Sequence, residues 1–131
     1  MIVVHGNVLA YLFIPGRYTS SAEHLLESDS RWAAPRLWQS ELRNVLANHM
    51  RSNLLEVADA VLLFQRAKDL IATDEYEVET SDVLRLSKQS KCSAYNCGYI
   101  ALAEFLDLKL VTADATLSKA FPECTRLLSV A

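Results

Sequence analysis

Short β-branched or apolar runs alternate along the chain with longer stretches in which apolar residues recur at helical spacing. Ile2-Val3-Val4 suits a buried central strand and stops at the turn-like His5-Gly6-Asn7. A helical stretch follows over residues 8–13 and is broken by Pro15-Gly16. Thr19-Ser20-Ser21 then offer N-caps for a helix carrying Ala22, Leu25 and Leu26. Trp32-Ala33-Ala34 is a short strand closed by Pro35. Residues 37–51 place Trp38, Leu42, Val45 and Leu46 on one helical face, and residues 54–72 form a second long helix. Tyr76-Glu77-Val78 is strand-like, Ser81-Asp82 starts another helix, and Ser93 caps a helix over residues 94–106 whose buried stripe includes Tyr95, Tyr99 and Leu102. A strand over residues 108–111, a short helix through Leu117 and Ala120, and a last strand over residues 126–130 complete the pattern.

Strands separated by helices of this length pair in parallel through right-handed crossovers, which predicts an α/β three-layer sandwich with a central parallel sheet, as a single domain over residues 1–131. In such sheets ligands lie beyond the carboxyl ends of the strands. That rule selects residues 5–7 and 112–114. No GxGxxG or GKS/GKT run occurs there, which argues against a nucleotide-phosphate cradle.

Charge narrows the choice of partners. The formal net charge of −3 excludes the global basic field of a protein that coats nucleic acid non-specifically, so any RNA contact is local. Cys92, Cys97 and Cys124 are odd in number and form no CxxC pair, which favours reduced thiols and a cytoplasmic setting. The longest apolar run, residues 8–14, is far short of the roughly 20 residues of a membrane helix, so no membrane association is expected.

The end-of-strand residues taken together resemble a known family. Met1-Ile2-Val3-Val4-His5-Gly6-Asn7-Val8-Leu9 is similar to the MIVVDTNVL opening of PIN domains, the fold of VapC-type toxins and related metal-dependent ribonucleases. Ser40-Glu41-Leu42-Arg43-Asn44-Val45-Leu46 resembles the helix supplying that family's second carboxylate. Ser93-Ala94-Tyr95-Asn96-Cys97 resembles its SAYDC segment, and Leu110-Val111-Thr112-Ala113-Asp114 its LVTAD strand end.

The resemblance implies a cluster of four acids holding Mg²⁺ or Mn²⁺ for cleavage of single-stranded RNA or tRNA, a small antitoxin protein as partner, and a homodimer. Glu41 and Asp114 match two of the acids. His5 and Asn96 stand where the other two are expected, and Gly6 replaces a hydroxyl residue. The implied site is thus His5, Glu41, Asn96 and Asp114, with His5, Glu41 and Asp114 as metal ligands. Its charge falls from −4 to −2, or −1 with His5 protonated, which weakens Mg²⁺ binding. An imidazole favours a softer metal such as Zn²⁺ or Ni²⁺, or the site holds none. Two nearby carboxylates are also expected to raise the His5 pKa, letting an imidazolium replace the cation.

The expectation is a VapC-like endoribonuclease by ancestry with a degenerate site. The alternative is a non-catalytic module that binds RNA or antitoxin. Without the resemblance His5 is a turn histidine, Glu41 a helix-face acid and Asp114 an N-cap. Cys97 is a core residue, and His24 and His49 lie on solvated faces.

Overall fold

The computed structural model describes residues 1–129. Five strands, β1 (Ile2–Val4), β2 (Trp32–Pro35), β3 (Glu75–Tyr76), β4 (Leu110–Thr112) and β5 (Thr125–Leu127), form one sheet in the order β3-β2-β1-β4-β5. All pairings are parallel, with Ile2 opposite Trp32 and Val3 opposite Leu110. β1 and β4 are buried along their whole length, which is why both read as unbroken apolar or β-branched runs.

Among the described residues seven helices flank the sheet: α1 (Gly6–Phe13), α2 (Thr19–Ser28), α3 (Trp38–Arg51), α4 (Val57–Ile71), α5 (Thr80–Ser90), α6 (Ala94–Leu106) and α7 (Ala115–Ala120). The first four pack on one another and α5 packs on α6. Right-handed crossovers that step outward through β2 to β3 and then return to β4 put these two groups on opposite faces, giving the expected α/β sandwich. α6 lies across β1, β2 and β4 at the centre of the sheet. Its residues 97–103 are all buried, so the helix is apolar nearly all round. Among the described residues no helix is long and apolar enough to cross a membrane.

Several boundaries differ from the sequence expectation. α4 begins at Val57 instead of Leu54, because Asn53 takes a positive φ of 59° and the Leu54 amide folds back onto the His49 carbonyl. Thr19 does not cap α2. Its hydroxyl donates to the Tyr11 carbonyl and accepts from the Gly16 amide, tying the turn to α1. The third strand is Glu75–Tyr76, fixed by pairing of Ala34 with Glu75. The fourth is displaced toward Thr112, and the last is Thr125–Leu127. Val130, expected at the end of that strand, lies outside the described residues. His49 is half-buried, with Nδ1 bonded to the Val45 carbonyl, not on a solvated face.

Candidate functional site

The parallel sheet carries the ends of β1 and β4 side by side, and the segments selected from the sequence begin there. His5 follows β1 as the N-cap of α1. Asp114 follows β4 as the N-cap of α7, with its side chain accepting the Leu117 amide at 3.1 Å. The two strand ends are further joined by the Ala113 amide, which donates to Asn7 Oδ1. Glu41 stands in the first turn of α3 and Asn96 in the first turn of α6, where Ser93 caps the helix by accepting the Asn96 amide. Four elements thus deliver the four residues, two from strand ends and two from helix starts.

His5 is buried, and both of its ring nitrogens are bonded. Nε2 lies 2.9 Å from Asn96 Oδ1 and Nδ1 lies 2.7 Å from Thr112 Oγ1. An amide oxygen only accepts, so Nε2 carries the proton. In the neutral ring Nδ1 then accepts from the Thr112 hydroxyl. The same Thr112 oxygen accepts the Asp114 amide at 3.0 Å. A continuous chain therefore runs from Asp114 through Thr112 and His5 to Asn96.

The expectation of a raised His5 pKa is overturned. Burial lowers it below 6.5 and outweighs the opposing pull of Glu41, the Asn96 hydrogen bond and Asp114. Both carboxylates are close enough to be felt, yet neither is a hydrogen-bond partner of the ring. The imidazole is neutral at pH 7, so the matched set keeps the charge of Glu41 and Asp114 alone, and no imidazolium replaces a cation.

Glu41 has a separate partner. The Tyr99 hydroxyl donates to Glu41 Oε1 at 2.5 Å, and burial, followed by the Glu41 charge, pushes the phenol far above its usual pKa, so it remains a donor. The Tyr99 ring meets the His5 ring edge to face at 4.8 Å between centroids. Gly6 makes this arrangement possible: a Cβ there would stand 2.7 Å from Glu41 Oε1 and 3.0 Å from Tyr99 Oη.

Tyr99 and Thr112 are the residues that sequence reasoning left without a role. Helical spacing marks Tyr99 only as part of the buried stripe of its helix, although its position three residues after Asn96 sets both on one face. Thr112 belonged to the selected strand end, but nothing in its type signals that one hydroxyl serves both His5 and Asp114.

The comparisons agree with this fold. The model of the PIN domain family matches residues 2–121, and the chain belongs to that family. It is 29% identical over 130 residues to Ribonuclease VapC3 of Pyrobaculum aerophilum, an alignment covering 92% of this chain and 95% of that protein. Among solved structures, PAE2754 from Pyrobaculum aerophilum superposes with a TM-score of 0.75 at 20% identity, over 95% of this chain and 81% of that one. A toxin-antitoxin complex from Klebsiella pneumoniae gives 0.73 at 17% identity, with both chains covered completely.

The divalent cation implied by the family needs oxygen lone pairs converging on one space. Here part of the donor set is engaged within the protein: Nδ1 of His5 with Thr112, Asn96 Oδ1 with His5, Glu41 Oε1 with Tyr99, and Asp114 Oδ1 with the α7 amide, while each carboxylate keeps its second oxygen. Among the described residues no three His, Cys, Asp or Glu side chains are grouped to hold a metal ion. With two acids where the family pattern has four, the donor set falls short of the oxygen shell that pattern offers Mg²⁺ or Mn²⁺. Nor does His5 offer a free lone pair to Zn²⁺ or Ni²⁺.

Proposed function

We propose that this chain is a VapC-type PIN protein whose ribonuclease site has been disabled, and that it acts by binding an antitoxin-like protein and not by cutting RNA. The observation that carries this reading is the His5 ring, bonded at both nitrogens inside a buried network where the family pattern places a charged metal ligand. Only Glu41 and Asp114 remain as acids, and removal of one ligand from such a shell already weakens metal binding steeply.

Binding has a suitable surface. Between α3 and α4 an open groove of about 360 Å³ is lined by apolar residues including Leu46, Met50, Val57, Val61 and Phe64. Val57 and Val61 are 66% and 63% exposed, an arrangement that suits the apolar stripe of a partner helix. Arg43 lies 4.8 Å over the Phe64 ring at the rim and would meet a carboxylate on that helix. The homodimer implied by the family would then use other exposed apolar residues, such as Leu84 of α5 and Phe105 of α6.

The test combines labelled single-stranded RNA and tRNA with Mg²⁺ or Mn²⁺. The unmodified chain is expected to give no metal-dependent cleavage above that of Glu41→Gln. Strong cleavage abolished by Glu41→Gln would establish an active nuclease and overturn this reading.

A further inference from the structure

We infer that Gly6 and Tyr99 form a latch on the Glu41 carboxylate, so that position 6 helps to close the site to a divalent cation. This rests on the reading of a disabled site and adds a cause that the missing acids do not supply.

The steric observation is specific. The place where any side chain at position 6 would begin is filled by Glu41 Oε1, 2.7 Å from the ideal Cβ, and Tyr99 Oη lies 3.0 Å from it. Real Cβ atoms do not tolerate the first distance. The carboxylate is the end of a flexible side chain, whereas Gly6 opens α1 directly after the central strand and Tyr99 is completely buried. A side chain at position 6 therefore displaces Glu41, not the backbone.

The chemical observation points the same way. Tyr99 Oη is a buried donor, and a phenol hydroxyl at such a place needs an acceptor. Glu41 supplies it at 2.5 Å. Glycine at position 6 admits the carboxylate to the phenol, and the phenol retains it there. Gly6 and Tyr99 are thus positioning residues for Glu41. Restoring acids at positions 5 and 96 leaves the latch closed, and a hydroxyl side chain at position 6 opens it.

Two measurements test the latch. In calorimetric titration with Mn²⁺, His5→Asp/Gly6→Ser/Asn96→Asp is expected to bind at least about tenfold more tightly than His5→Asp/Asn96→Asp, the usual scale of outer-shell effects on metal affinity. Equal affinity of the two variants, including no binding by either, overturns the latch. Independently of metal, Gly6→Ala is expected to lower the melting temperature by several degrees in the unmodified chain. In a Glu41→Ala/Tyr99→Phe background it should leave the temperature unchanged or raise it, since alanine is the better helix former. The same shift in both backgrounds overturns the latch as well. Metal-dependent cleavage by the unmodified chain would instead remove the disabled-site reading, and the thermal comparison would still judge the latch.

Discussion

Replacing Thr112 by valine preserves the shape of the side chain and deletes the oxygen at the centre of the His5 network. That oxygen serves His5 Nδ1 at 2.7 Å and the Asp114 amide at 3.0 Å. Thr112 and His5 are both buried, so the orphaned imidazole lone pair finds no ready water, whereas half-buried Asp114 is partly rehydrated. An unsatisfied buried acceptor costs about 1–3 kcal/mol, and the exchange of an amide bond for water about 0.5 kcal/mol. The new methyl group returns less than about 1 kcal/mol through apolar burial. A net loss of about 2 kcal/mol follows. With an unfolding entropy of about 2.1 cal/mol/K per residue, this corresponds over 131 residues to a fall in Tm of about 7 °C. Differential scanning calorimetry at pH 7.5 measures the fall, and urea titration checks that the m-value is unchanged. A fall below about 2 °C with unchanged m would show that the contact contributes nothing net, and would refute the view of the site as a self-satisfied polar network.

Because burial lowers the His5 pKa, the unfolded imidazole takes up a proton at higher pH than the folded one, so stability falls as pH drops below about 6.5 and levels off beneath the folded pKa. Melting curves between pH 7.5 and 5.5 should show this fall and His5→Asn should flatten it; an unaltered slope in that variant would assign the effect to other groups. Ser93→Ala removes the cap on the Asn96 amide and should cost about 1 kcal/mol in urea unfolding, with no loss pointing to a cap that water replaces freely. Val57→Asp with Val61→Asp should leave Tm within about 2 °C, as both residues are largely exposed, while weakening capture of an antitoxin-like helix more than about tenfold by calorimetry. Retained affinity would move the docking surface elsewhere.

The parts of the fold that can be read from the sequence are those where local chemistry and tertiary position agree. β1 is β-branched because it is buried on both faces, α3 shows its apolar spacing because one face meets the core, and Ser93 and Asp114 are capping types that cap. Boundaries fail where a distant partner decides them. β3 is placed by the register of Ala34 with Glu75, not by the residues around Tyr76. Thr19 has the chemistry of a cap, yet its hydroxyl is taken by the Tyr11 carbonyl. The start of α4 depends on a left-handed Asn53 that a helical count over Leu54 and Leu55 does not register.

The same distinction governs the site. The motifs brought His5, Glu41, Asn96 and Asp114 to neighbouring element ends, because the order of strands and helices is sufficient for that. They did not reveal the protonation state of His5, since charges can be counted along a sequence but desolvation belongs to the packed structure. Two carboxylates argue for an imidazolium, and burial against the Tyr99 ring and Thr112 wins. Gly6 is the clearest case. In the sequence it is a missing hydroxyl, a loss; in the structure its missing Cβ is the space that the Glu41 carboxylate occupies. The exchanges at positions 5, 6 and 96 are therefore mutually consistent: histidine needs the amide oxygen of Asn96, and Glu41 needs both the phenol of Tyr99 and the absence of a side chain at Gly6. One oxygen of each remaining carboxylate finds a partner within the protein, Glu41 with the Tyr99 hydroxyl and Asp114 with the Leu117 amide.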